Sequence, residues 1–169
     1  RCLCSHEHFD HAFRQGVRLI PGPRAISVSR VETFHDDCQG ALRGKNTVHI
    51  LEAEGLRVVH LGDLGHPLTK PQREAIGRPD VLLLPVGGTY TVGPEAAWAI
   101  ARELKARAVV PMHYRTGRFG FPQLADVESF LALCPPEEIL RLPDRTWRVS
   151  LGEARQIVVF PAKFQEAKQ

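Results

Sequence analysis

The chain has 169 residues, 43% of them apolar, and its 22 Lys and Arg against 19 Asp and Glu give a formal charge of +3. That length and apolar content suffice for one domain with a real core, whereas no apolar run approaches the roughly eighteen residues of a membrane-spanning helix. The charges are scattered, with no block of Lys or Arg, which argues against nucleic acid as the main partner.

Cys2 and Cys4 alternate on a short strand, and the chain then runs Ser5-His6-Glu7-His8-Phe9-Asp10-His11, an H-x-H-x-D-H pattern. His6 and His8 are two apart, so an extended backbone points both imidazoles to one side. Asp10 and His11 turn in another direction as the chain leaves the strand, so one turn can offer ligands to two adjacent metal ions. Alternation over residues 25–34 predicts a strand ending at His35, within Glu32-Thr33-Phe34-His35-Asp36-Asp37. Strands over residues 47–53 and 56–61 follow, joined by a hairpin turn at Glu54-Gly55. The second leads into Gly62-Asp63. His49 reads as structural, and His60 as packed or as a support for a ligand. His66, three residues after Asp63 in a Gly-containing turn, is either a surface residue or one placed to reach substrate and donate a proton to a leaving group.

Thr69-Lys70-Pro71-Gln72 has the spacing of a capping box with Pro in the first turn, and Gly77 closes that short helix. Residues 80–86 read as a buried strand from their unbroken apolar run. Gly87-Gly88-Thr89-Tyr90 lies between that strand and a helix, where backbone N–H groups such as that of Gly88 meet anionic ligands. Tyr90 is a candidate to hydrogen-bond a reacting oxygen, with simple packing as the alternative. A helix is predicted over residues 94–107, with Ala97, Ile100, Ala101 and Leu104 as its apolar stripe. Residues 109–112 form another buried strand, ending at His113. Beyond it, Arg115 and Arg118 are either solvated or placed to recognise phosphate or carboxylate. Leu124, Val127, Phe130 and Leu131 mark a further helix. Residues 139–160 read as short strands with turns at Pro143-Asp144 and Gly152. No repeat, linker or low-complexity segment breaks the chain, so residues 1–169 read as a single domain. The four cysteines lack zinc-knuckle spacing and read as reduced thiols of a cytoplasmic protein.

The ordered set His6, His8, Asp10, His11, His35, Gly62-Asp63 and His113 resembles the metal signature of the metallo-β-lactamase-fold hydrolases. The segments Arg43-Gly44-Lys45-Asn46, Gly62-Asp63-Leu64-Gly65-His66, Leu84-Pro85-Val86-Gly87-Gly88-Thr89-Tyr90-Thr91 and Pro111-Met112-His113-Tyr114 resemble its bacterial and archaeal Zn-dependent branch. That branch is similar to the L-ascorbate-6-phosphate lactonases and, more distantly, to a phospholipase D acting on N-acyl phosphatidylethanolamines. The resemblance implies an α/β fold, the αββα sandwich. Members carry several strands ahead of the H-x-H-x-D-H motif, which opens this chain without an initiating Met. The chain therefore reads as a partial domain lacking the first N-terminal strands.

The resemblance also implies two divalent ions, zinc first, with manganese, iron and nickel compatible with the same donors. His6, His8 and His35 would hold one; Asp10, His11 and His113 the other; Asp63 would bridge them. Asp10 and Asp63 would share the catalytic work, with Asp10 also able to orient a water or take its proton, and His66 as a candidate donor. Gly88, Tyr90 and Arg115 would contact substrate. His8 stands where the flavodiiron reductases of this fold carry Glu, which favours hydrolysis. The expected activity is metal-dependent hydrolysis of a lactone or phosphoester in a small molecule. The alternatives are a phosphodiesterase or nuclease of the same fold, or a metal-binding module without turnover. A homo-oligomer is left open.

Overall fold

In the computed structural model, which describes residues 2–8, 12, 14–16, 26–117 and 119–162, the apolar runs become seven strands of one mixed sheet. These are β1 (Ser27–Phe34), β2 (Lys45–Ala53), β3 (Leu56–His60), β4 (Val81–Pro85), β5 (Ala108–Met112), β6 (Ile139–Arg141) and β7 (Gln156–Val159), ordered β1-β2-β3-β4-β5-β7-β6. β1, β2 and β3 pair antiparallel, and the remaining neighbours pair parallel. The hairpin between β2 and β3 turns at Glu54 and Gly55, with φ of 51° and 76°. Two successive left-handed residues match the right-handed twist of the strands they join. Among the described residues three helices, α1 (Lys70–Ile76), α2 (Pro94–Glu103) and α3 (Val127–Leu131), accompany the sheet, with 3-10 turns at Arg14–Gly16 and Pro136–Glu138.

Helix boundaries follow from the caps. Thr69 accepts from the Gln72 N–H while the Gln72 side chain accepts from the Thr69 N–H, so the expected capping box forms; Gly77 closes α1 with φ of 70°. The helix expected over 94–107 stops sooner, at Glu103. Lys105 adopts φ of 51°, and the N–H groups of Ala106 and Lys105 bond back to the carbonyls of Ala101 and Arg102. This pair of bonds is a Schellman closure, made with lysine where glycine is the usual occupant. Asp126 caps α3 by accepting from the Ser129 N–H.

Strand register explains the core. Ile50 pairs with Val59, Val59 with Leu82, Leu82 with Val109 and Val109 with Ile157. Partners in register share a face, and every member of this row is essentially inaccessible. Ile76 of α1, Ala97, Ile100 and Ala101 of α2, and Phe130 and Leu131 of α3 join the same cluster. The neighbouring row, His49–His60–Leu83–Val110, points to the opposite face, where His60, Leu83 and Val110 remain partly exposed. The described residues thus form one helix-covered mixed sheet, which fits the expected α/β sandwich. No helix among them is long and apolar enough to cross a membrane.

Candidate metal centre

β1 and β3 are each antiparallel to β2, so the C-terminal ends of β1, β3, β4 and β5 and the start of β2 open on one edge of the sheet. Ligands gather at such an edge in α/β folds. His35 follows β1, Asp63 follows β3, the 87–90 loop follows β4 and His113 follows β5. The N-terminal segment is stitched to β2: the Ser5 carbonyl accepts from the Thr47 N–H at 2.8 Å, and the Cys4 carbonyl from His49 Nε2 at 3.0 Å. These bonds set His6 beside Asp63.

A single carboxylate oxygen organises the cluster. Asp63 Oδ2 lies 3.6 Å from His6 Nε2, 3.4 Å from His35 Nε2 and 3.3 Å from His113 Nε2. These separations exceed the usual range of a direct N–H···O bond, ~2.7–3.2 Å. They match the spacing of two donors on a tetrahedral ion whose bonds are ~2.0–2.2 Å. His8 joins this group, since the donor atoms of His6, His8 and His35 all lie within 4.8 Å of one another. Imidazole and carboxylate suit a divalent, borderline ion, so the residues fit the metal that the sequence implies.

Surrounding bonds hold these side chains in a binding state. His35 Nδ1 lies 3.0 Å from the Tyr90 carbonyl, which can only accept, so Nδ1 carries the proton and Nε2 presents its lone pair towards Asp63. Burial pushes the His35 imidazole below its ordinary pKa, with the Asp63 carboxylate opposing, which keeps the ring neutral as a ligand must be. Ser5 Oγ sits 3.0 Å from His6 Nδ1. Asn46, buried at the start of β2, accepts from the Asp63 N–H at 3.0 Å and donates to Thr33 Oγ1 at 2.8 Å and the Leu61 carbonyl at 2.9 Å. Asp36, next to His35, accepts from the N–H groups of Cys38, Gly40, Leu42 and Arg43. Burial raises its pKa, but these bonds outweigh that and bring it down to about 2.

Two glycines let the ligand loops close in. A Cβ on Gly87 would stand 2.1 Å from the His113 carbonyl oxygen, and one on Gly65 would stand 2.3 Å from the Asp36 nitrogen. His113 itself takes φ of 53°, a left-handed conformation costly for a non-glycine residue and frequent at functional sites.

The structure therefore brings together His6, His8, His35, Asp63 and His113, whereas Asp10, His11 and Arg118 lie outside the described residues. His66 departs from its expected part as a proton donor. Its Nε2 accepts from the Phe34 N–H at 3.1 Å, which holds the main chain leading to His35, and its Nδ1 donates to the Pro67 carbonyl of its own turn at 2.8 Å. Gly88 also differs from expectation, because its N–H is spent on the Val92 carbonyl, while its own carbonyl accepts from Tyr90 and Thr91. Arg115 Nε bonds the Leu124 carbonyl at 3.3 Å, bracing its own loop. Tyr90 touches the centre through its carbonyl, while its hydroxyl accepts from Gln123 Nε2. His60 accepts from the Gly62 N–H at 3.0 Å and so supports the turn into Asp63. Asn46 and Asp36 had not been singled out for any role. Their signals were a polar residue interrupting the buried Val48–Ile50 side of β2, and an Asp followed by the glycines at 40 and 44.

The fold and the donor set define a metal-binding member of the metallo-β-lactamase class. Residues 2–113 match the family model described as a β-lactamase superfamily domain, and the chain belongs to that superfamily. It is similar to curated proteins named UPF0173 metal-dependent hydrolase. One, from Methanoculleus marisnigri, is 40% identical over 101 residues, 60% of this chain and 43% of the relative. Another, from Geobacillus thermodenitrificans, is 36% identical over 139 residues, 72% of this chain and 58% of the relative. The chain thus spans about half the length of the curated relatives it matches. Among solved structures, a candidate Zn-dependent hydrolase of the metallo-β-lactamase superfamily from Thermotoga maritima aligns with a TM-score of 0.73 and 40% identity, covering 92% of this chain and 78% of that one. Igni18, a metallo hydrolase from Ignicoccus hospitalis, aligns at 0.50 with 27% identity over 75% of this chain and 57% of its own.

Proposed function

We propose that this chain carries the metal centre of a metal-dependent hydrolase that opens an ester-type bond, a lactone or phosphoester, in a small molecule. The observation that carries the reading is Asp63 Oδ2 standing 3.3–3.6 Å from three imidazole Nε2 atoms, an arrangement suited to sharing one oxygen between two ions. His6, His8 and His35 would hold one divalent ion; His113 with Asp10 and His11 would hold the second; Asp63 would lie between. When bound, such ions supply Lewis acidity and lower the pKa of water to near neutrality. The chain's own part is to keep the His35 imidazole neutral, to fix Asp63 through Asn46, and to fix His35 through the Tyr90 carbonyl. Asp10, two residues from His8, is the group assigned to orient the attacking water or accept its proton. The partly exposed row His60–Leu83–Val110 suits the inner face of a two-sheet sandwich. The four free thiols suit a reducing cytoplasm.

Elemental analysis of the wild-type protein and of Asp63→Ala, followed by a screen of lactone and phosphodiester substrates, tests the reading. About two transition-metal ions per chain, lost in the variant, together with metal-dependent hydrolysis, are expected. Metal bound in full without turnover of any ester would leave a metal-binding module instead.

A further inference from the structure

The loops that hold His35 also carry groups the metal centre does not use. The chain from His35 to Gly44 returns on itself, the His35 N–H bonding the Gly44 carbonyl at 3.0 Å, and this brings the main chain at Arg43 back beside His35. There the Arg43 guanidinium lies over the Tyr90 ring, 5.4 Å from its centroid. Tyr90 is the residue whose carbonyl bonds His35 Nδ1. The Tyr90 ring also meets Phe121 edge-on at 5.8 Å, and Phe121 is 58% exposed. Gln123 ties this arrangement down: its Nε2 donates to the Tyr90 hydroxyl and its carbonyl accepts from Thr89 Oγ1 at 2.9 Å.

A guanidinium stacked on a ring keeps its N–H donors in plane and available to an anion. Among the described residues no carboxylate pairs with the Arg43 side chain, and Asp36 in the same loop is occupied by four main-chain donors. A half-buried cation with no carboxylate partner among the described residues thus sits beside an exposed aromatic ring, and both are tied through Tyr90 to a metal-binding histidine. Arg115, one of the two cations the sequence offers past His113, uses its Nε on the Leu124 carbonyl.

We infer that Arg43 is the anion-recognition residue of a substrate rim completed by Tyr90 and Phe121, and that the substrate is a small molecule with a phosphate or carboxylate next to a planar apolar group. This rests on the hydrolase reading above. Arg43 binds the anionic oxygens, Phe121 covers the planar part, and the shared Tyr90 ring fixes their distance from His35.

The test is calorimetric titration of the zinc-loaded protein with phenylphosphonate, benzoate, methylphosphonate and neutral benzyl alcohol, with metal content and Tm measured on each sample. The wild type should prefer the two aromatic anions to methylphosphonate and to benzyl alcohol, and the stronger of the two names the anion. Arg43→Gln should weaken that ligand about tenfold or more, the effect of losing one charge-assisted hydrogen bond, and Arg43→Lys should recover part of it. Phe121→Ala should erase the preference for phenyl over methyl and leave methylphosphonate unchanged. Equal binding of the aromatic anions by wild type and Arg43→Gln, at equal metal content and Tm, overturns the proposal; so does a wild type that binds none of them. A protein that takes up no metal refutes the hydrolase reading instead, and Arg43-dependent binding of phenylphosphonate by that metal-free protein would still uphold the anion site.

Discussion

Asn46 and Asp63 are seventeen positions apart and joined by one hydrogen bond, from the Asp63 N–H to Asn46 Oδ1 at 3.0 Å. Asn46 is the first buried residue of β2, and Asp63 stands just past the end of β3, the strand paired with it. The amide reads the position of the turn that carries the carboxylate and relays it to Thr33, two residues before His35. One buried side chain therefore couples the two loops that carry Asp63 and His35.

Replacing Asn46 with Ala leaves the Asp63 N–H and the Leu61 carbonyl without this partner in a buried place. The cost expected is about 1–3 kcal/mol of folding stability, and metal affinity should fall about 10–100-fold, as for other groups that orient a ligand. Urea denaturation of the metal-free protein and competition with a zinc chelator measure the two separately. An unchanged zinc affinity would show that Asn46 serves the fold alone.

Gly87→Ala should act on His113. The added methyl would meet the His113 carbonyl oxygen at 2.1 Å, and both are main-chain neighbours with little freedom to yield. A destabilisation of about 1–3 kcal/mol is expected from the forced shift, with loss of part of the bound metal because the His113 ring moves away from Asp63. Full metal content in a folded Gly87→Ala protein would separate the loop from the centre.

Much of this arrangement was legible from residue order. His35, Asp63 and His113 each stand just past an apolar run that forms a strand, and those strand ends meet on one edge of the sheet, whereas the strand expected at Cys2 and Cys4 before His6 and His8 is not formed. The Thr69 cap and the Glu54-Gly55 turn were legible because their chemistry is local. What escaped notice depends on contacts between distant loops. Nothing near His66 in sequence shows that Phe34, 32 residues earlier, donates its N–H to that ring. The early end of α2 was hidden because a lysine takes the left-handed position that glycine would have marked. Gly88 looked open to an anion because the Val92 carbonyl that occupies its N–H comes from the far side of its own turn.

Asp36 gives the stability a defined acid limb. Its folded pKa of about 2 lies below the ordinary 3.8, so ionised Asp36 stabilises the native state above pH 4 and this contribution disappears as pH falls from about 4 to about 2. In the metal-free protein, Asp36→Asn should lower Tm at pH 7 and flatten the dependence of Tm on pH across that window. A wild-type slope retained in the variant would assign the acid limb to other carboxylates.

Lys105→Gly should stabilise the chain. A left-handed conformation costs a non-glycine residue roughly 1–2 kcal/mol, part of which is offset by the greater freedom of glycine in the unfolded state. The Schellman bonds and the hydrogen bond from Arg78 Nε use only the main chain of this segment, so they survive the substitution. A net gain of about 0.5–1 kcal/mol is expected in urea denaturation; a loss would mean that the lysine side chain contributes something the main-chain geometry does not show.

Metal removal separates the centre from its scaffold. The sheet core is built from Ile50, Val59, Leu82, Val109 and Ile157 and involves no ligand, so the chelated protein should remain folded. Zinc at about a hundred times its dissociation constant should then add about 2.7 kcal/mol, because it binds the folded state alone, and Tm should rise reversibly with zinc and fall with chelator. Asp63→Asn removes the negative charge that lies 3.3–3.6 Å from three imidazoles, so most of that zinc-dependent rise should vanish while the metal-free Tm changes little. A rise of wild-type size in Asp63→Asn would place the zinc elsewhere on the protein and remove Asp63 from the centre.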